Sequence, residues 1–151
     1  MKIYVILDNI RSAYNVGSIF RTADGAGDCE ILLCGISPTP EHIKVFKTAL
    51  GSTNSVPWKY FKTTQEAVQF IKDKKVPLYS IELTDRAKVY HQLTFPQDLA
   101  IVLGHETEGV NRHILEQSNE HIFVPMNGKK ESLNVATVAG IVIYEIVKNK
   151  K

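Results

Sequence analysis

The sequence predicts an α/β domain with a mostly parallel sheet and helices on both of its faces. Three observations lead there. Short apolar runs alternate along the chain with segments whose apolar residues recur at helical spacing. Runs such as Ala100-Ile101-Val102-Leu103 show no in–out alternation, which is the pattern of strands buried on both sides in a parallel sheet. Glycine closes several of these runs, as Gly35 does after Cys34 and Gly104 after Leu103.

Residues 2–7, rich in Ile, Val and Tyr, form the first predicted strand. Residues 8–14 are a polar connection. Asn15 is a good N-cap for a helix whose inner face carries Val16, Ile19, Phe20 and Ala23 and which ends near residues 25–27. Residues 30–34 form the second strand. Pro40 and Glu41 open a short helix through Leu50, with Gly51 as its stop. Residues 56–61 form the third strand, and Thr63 or Thr64 caps a helix carrying Ala67, Val68, Phe70 and Ile71. Residues 77–83 form the fourth strand, residues 84–97 are polar and irregular, and residues 99–103 are a fully apolar strand. A loop and a short helix near residues 111–117 lead to a last strand, residues 122–124.

Ser132-Leu133-Asn134 then opens a long helix. Val135, Ala136, Val138, Ala139, Ile141, Val142, Ile143, Ile146 and Val147 cover most of its circumference. A helix apolar nearly all round is covered on two sides. Val135, Val138, Val142 and Ile146 lie on one side and Ala136, Ile143 and Val147 on another. One face is expected to pack on the sheet and the other on a second subunit. The last turn, Lys148-Asn149-Lys150-Lys151, complements the negative end of the helix dipole.

With 151 residues, 44% hydrophobic and 23% charged, the chain is expected to be one globular domain. A net charge of +2 permits a local basic patch but does not argue for one. Cys29 and Cys34 fall on opposite faces of one strand, which disfavours a disulfide or a shared metal. The histidines show no metal-ligand spacing, so no metal is expected. The N-terminal apolar run is too short for a signal or membrane segment, and a cytoplasmic protein with reduced thiols is expected.

Ligands of such sheets sit outside the carboxyl ends of the strands. Three of these ends carry unusual residues: Asn15, Gly17 and Arg21 after the first strand, Gly-His-Glu-Thr-Glu-Gly after Leu103, and Pro-Met-Asn-Gly-Lys-Lys-Glu-Ser-Leu-Asn after Val124. The last is a strand, a glycine-bearing loop and a helix N-terminus, a geometry that holds small polar ligands. It is not a Walker loop, since Phe123 and Lys130 stand where Gly and Ser or Thr are required.

The order and spacing of these segments resemble the SpoU/TrmH family of RNA ribose 2′-O-methyltransferases, in the SPOUT superfamily. The family's Asn-x-Gly-x-x-x-Arg reads as Asn15, Gly17 and Arg21. Its Leu-Gly-x-Glu-x-x-Gly reads as Leu103, Gly104, Glu106 and Gly109. Its Pro-Met and Ser-Leu-Asn-Val read as Pro125, Met126, Ser132, Leu133, Asn134 and Val135, and Lys47-Thr48-Ala49-Leu50-Gly51 resembles an intervening family segment. The resemblance implies S-adenosylmethionine as cofactor, RNA as substrate with transfer RNA favoured over ribosomal RNA, a homodimer, and a deep trefoil knot in the C-terminal third. It also implies one catalytic domain over residues 1–151 with no accessory RNA-binding domain. The alternative is an RNA-binding module that keeps the fold without the chemistry.

Methyl transfer to a ribose hydroxyl needs a bound donor, an aligned acceptor and an exit for the proton. Ile81, Gly104, Glu106, Gly109, Val124, Met126, Ser132 and Leu133 are the candidate donor-binding residues, in a cleft expected to be apolar and lined by backbone. Arg21, Asn15, Glu106, Ser132 and Asn134 are the candidate catalytic set, with Glu106 orienting Arg21 or Asn15. Ser132 and Asn134 also suit the capping of the final helix. Arg21, Lys129 and Lys130 are the candidate RNA contacts. A guanidinium stays protonated, which suits Arg21 to orienting phosphate or stabilising charge rather than to acting as a base.

Overall fold

The structure, a computed structural model, describes residues 1–148 and 150. Seven parallel strands form one sheet: β1 (Lys2–Asp8), β2 (Cys29–Cys34), β3 (Trp58–Phe61), β4 (Leu78–Ile81), β5 (Lys88–Val89), β6 (Asp98–Leu103) and β7 (Glu120–Phe123), in the order β3-β2-β1-β6-β4-β7-β5. The α-helices among the described residues are α1 (Ala13–Ala26), α2 (Ile43–Ala49), α3 (Thr64–Asp73), α4 (Arg112–Gln117) and α5 (Val135–Lys148).

The sheet has a core on each face, as its unalternating strands require. Ile3, Val5 and Leu7 of β1 point to the side covered by α1, α2 and α5, while Tyr4 and Ile6 point to the side covered by α3 and α4. Cys29 and Cys34 divide between the two cores in the same way.

Helix starts differ from the sequence expectation in two places. Ser12, not Asn15, caps α1: its backbone is extended and its hydroxyl accepts the Asn15 N–H at 3.1 Å. Both residue types cap well, and the upstream one wins because it adds a further turn that places Asn15 inside the helix, where it is buried. α2 begins at Ile43 rather than Pro40, with the His42 ring accepting the Lys44 N–H. Thr63 caps α3. The irregular passage before β6 contains the two-residue β5, paired with β7, and a turn of 3-10 helix at Tyr90–Gln92. At Gly17 a Cβ would stand 2.5 Å from the Thr48 side chain, so α1 and α2 cross as closely as this glycine allows.

In α5, Ala139, Val142, Ile143 and Ile146 are buried within the chain itself. Ile143 therefore belongs to the intramolecular core and not to a surface reserved for a partner. Tyr144 is the large apolar residue that α5 leaves exposed, at 51%. Of the predicted basic last turn, Lys148 closes α5 and Lys150 bonds the Pro96 and Gln97 carbonyls, while Asn149 and Lys151 lie outside the described residues. No helix among the described residues is long and apolar enough to cross a membrane.

Candidate active site at the carboxyl edge of the sheet

The loop at residues 104–110, after β6, is held in a tight shape by its own backbone. The Gly109 N–H donates to the His105 carbonyl at 2.9 Å, and the His105 ring accepts the N–H groups of Thr107 and Glu108, each at 3.2 Å. A Cβ on Gly104 would stand 2.3 Å from the Gly109 carbon and the Val110 nitrogen, so only glycine fits there. Gly109 takes φ +72°, and the space beside it is filled by the Glu82 carboxylate, which accepts the Val110 N–H at 2.9 Å.

Glu106 reaches from this loop to the start of α1. Its two oxygens accept the N–H groups of Arg11 and Ser12, each at 3.2 Å. Burial works to raise the Glu106 pKa, but hydrogen bonds from its own N–H and from Ser12 and Arg11, together with the nearby Asn15 side chain, outweigh it and hold the carboxyl below its ordinary value. Of the two partners expected for Glu106, Asn15 lies near enough to lower its pKa, but the hydrogen bonds that the carboxylate accepts from other residues are those of Arg11 and Ser12. A link to Arg21 is absent: Arg21 is exposed further along α1, six residues and about 9 Å of helix rise from Asn15.

Asn134 caps α5, accepting the Ala136 N–H at 2.9 Å, and its amide donates to the Asn15 side chain at 3.2 Å. The starts of α1 and α5 are thus joined beside the 104–110 loop.

A cleft of about 1020 Å³ opens between the ends of β4, β6 and β7. Ile81, Gly104, Glu106 and Gly109 line it from one side, and Val124, Met126, Ser132 and Leu133 from the other. All eight candidate donor-binding residues therefore meet in one cavity, with Asn134 at its rim. Asn15, Arg21, Lys129 and Lys130 do not line it, and both lysines are exposed.

Ile81, Leu103, Phe123, Val124, Met126 and Leu133 give the cleft apolar lining, and acidic side chains stand among them. Glu82, Glu106, Glu108 and Glu131 line it, and no lysine or arginine does so among the described residues. Glu82 is a site residue that the sequence expectation omits, because residues 77–83 read as one continuous strand. A carboxylate within the apolar run Leu78-Tyr79-Ser80-Ile81-Glu82-Leu83 was the available signal that the strand ends at Ile81. Thr84, also at the cleft wall, hydrogen-bonds the buried His121 ring at 2.6 Å.

Comparison with known proteins places this arrangement. The chain is 26% identical over 147 residues to the tRNA (guanosine(18)-2′-O)-methyltransferase of Escherichia coli K12, covering 97% of this chain and 63% of that protein. It is 29% identical over 142 residues to the 23S rRNA (guanosine(2553)-2′-O)-methyltransferase of Bacillus subtilis 168, covering 94% of this chain and 56% of that one. It thus spans only about three fifths of the length of these relatives. Among solved structures, the AdoMet-bound rRNA methyltransferase of Sinorhizobium meliloti superposes with a TM-score of 0.91 at 25% identity, covering 97% of this chain and 56% of that chain. With a match to the family's sequence pattern running from residue 2 to residue 144, the chain belongs to the SpoU rRNA Methylase family.

Proposed function

We propose that this chain carries the catalytic site of an RNA ribose 2′-O-methyltransferase that uses S-adenosylmethionine. One observation carries the reading: the eight residues selected for donor binding, from three separate segments, line a single cleft. The cleft also fits the donor's charge. Its lining is acidic, and the donor bears a positive sulfonium. When bound, the donor supplies an electrophilic methyl group.

The chain's own residues hold and orient. Gly104 and Gly109 set the wall against which a flat ligand lies, and Ile81, Val124, Met126 and Leu133 exclude water from it. Glu106 and Asn134 fix the start of α1 against the cleft. Arg21 acts on the acceptor side by orienting phosphate and stabilising charge. Since it does not line the cleft of its own chain, a second copy of the chain brings Arg21 to the site. The exposed Tyr14 and Tyr144 on α1 and α5 support a homodimer. The strand order, with β6 between β1 and β4 and β7 between β4 and β5, supports the knotted topology. Lys129 and Lys130 are proposed RNA contacts. The relatives' names divide between transfer and ribosomal RNA, and transfer RNA is the proposed substrate, in the cytoplasm.

The test is methyl incorporation from labelled donor into transfer RNA and into ribosomal RNA, with calorimetry of donor binding alongside. Arg21→Ala should lower transfer by at least about 100-fold, the scale of losing a charge-stabilising group, with donor affinity unchanged. Donor binding without transfer to any RNA would favour the non-catalytic module.

A further inference from the structure

A second groove, of about 1220 Å³, lies on the other side of the 104–110 loop. It opens where the sheet changes winding direction, outside the carboxyl ends of β2, β1 and β6, which is the switch point where doubly wound sheets bind ligands. The two cavities share a wall made of His105, Glu108, Gly109, Val110 and Leu115.

Their charges are opposite. The donor cleft is lined by four carboxylates and no basic side chain among the described residues. The second groove is lined by Arg11, Lys62 and Arg112. Arg11 and Lys62 are exposed, and their side chains form no hydrogen bond or ion pair among the described residues. Arg112 has only a 3.5 Å pair with Glu116, and both side chains are largely in solvent, so the pair holds the guanidinium weakly. Two acids also line this groove, Asp8, buried and accepting from Thr64 at 2.6 Å and the Asn111 N–H at 3.3 Å, and Glu108, so three basic side chains face two carboxylates and the groove is net basic. Only Glu108 is an exposed acid there.

We propose that this groove is a site for the RNA strand next to the modified nucleotide, with phosphates held by Arg11, Lys62 and Arg112. The proposal rests on the methyltransferase reading above. An acidic cleft repels a polyanion and suits a cationic donor, and a basic groove does the reverse. The wall they share is one loop thick, so a strand in the basic groove passes its next ribose over the 104–110 loop to the donor cleft.

The test compares the unmodified chain, a Lys62→Ala and Arg112→Ala double variant, and a control double variant, Lys74→Ala and Lys148→Ala, which removes equal charge outside both cavities. Fluorescence anisotropy with labelled bulk transfer RNA and with a labelled RNA stem-loop reads RNA affinity across a salt series, and calorimetry reads S-adenosylmethionine. The groove variant should lose about tenfold or more in RNA affinity, and its salt slope should fall by about two, one per phosphate contact removed, with donor affinity unchanged. An RNA affinity equal to that of the control variant overturns the proposal. So does a groove variant that changes sedimentation instead of RNA binding, which would mark an interface between copies. Absence of donor binding in the unmodified chain overturns the underlying methyltransferase reading, a result distinct from loss of the groove alone.

Discussion

The Asn134 side-chain amide donates to the Asn15 side chain across 3.2 Å, joining two helix starts far apart in sequence, while the Asn134 oxygen caps α5. The two roles are separable. Asn134→Ala removes both, and should lower stability by about 1–2 kcal/mol, the scale of a lost cap plus a lost hydrogen bond. Asn134→Asp keeps the cap acceptor but cannot donate to Asn15, and should cost less. Urea denaturation of the two variants checks the order: an Asn134→Asp variant as stable as the unmodified chain would remove the tie from the account, and equal losses would remove the cap.

Gly104→Ala places a methyl group where the Gly109 and Val110 backbone stands, at 2.3 Å. The obstacle is main chain, so the 104–110 loop must move. Stability should fall by about 1–3 kcal/mol, as for other overpacked sites. Donor affinity should fall by about tenfold or more, because the same loop walls the cleft. Thermal melting and calorimetry measure the two effects. An alanine variant that binds donor normally would show that the wall is not where the ligand rests.

Ile143→Glu and Tyr144→Glu should behave differently, although the positions are adjacent. Ile143 is fully buried in the chain's own core, and an unpaired carboxylate there costs several kcal/mol, enough to unfold a small domain. Tyr144 is exposed, so its replacement should leave the fold intact and dissociate the proposed dimer. Circular dichroism and sedimentation velocity distinguish the outcomes, and a folded, dimeric Tyr144→Glu variant would place the interface elsewhere.

Acid should weaken the fold through two carboxylates. Burial works to raise the Glu30 pKa, but hydrogen bonds and charge from Lys59 and Lys2, at 2.9 and 3.3 Å, hold it below the ordinary value of 4.5, and Glu106 is depressed as well. A depressed folded-state pKa adds stability that is fully present above the unfolded value and is lost as pH falls through the folded one. The urea midpoint should therefore hold near neutrality and decline below about pH 4.5. A Glu30→Gln variant should be less stable at pH 7 and should show a shallower decline. An unchanged slope would assign the acid sensitivity to other groups.

The sheet was legible because buried parallel strands such as β6 carry little but apolar side chains, and the cleft because motif residues cluster at strand ends. The α1 cap was misread because Ser12 and Asn15 are chemically equivalent candidates, and only packing of the first turn separates them. Three of the cleft's carboxylates, Glu106, Glu108 and Glu131, lie within the motif loops, whereas Glu82 is distant in sequence and reaches the 104–110 loop only after β4 and β6 pair. The second groove had no local signal: Arg11, Lys62 and Arg112 are isolated surface cations until the strand order brings them together.

The position of β6 has a consequence for how the chain assembles. β1 pairs along one edge with β2, its neighbour in sequence, yet its other edge pairs with β6, with Ile3 beside Leu99 and Leu7 beside Leu103. Contacts this distant in sequence slow folding. During synthesis the Ile3-Tyr4-Val5-Ile6-Leu7 edge has no partner until β6 has left the ribosome. This nascent, unpaired edge is the stretch most exposed to intermolecular pairing, so expression yield should depend more on the speed of synthesis and on chaperone supply than on the stability of the finished fold.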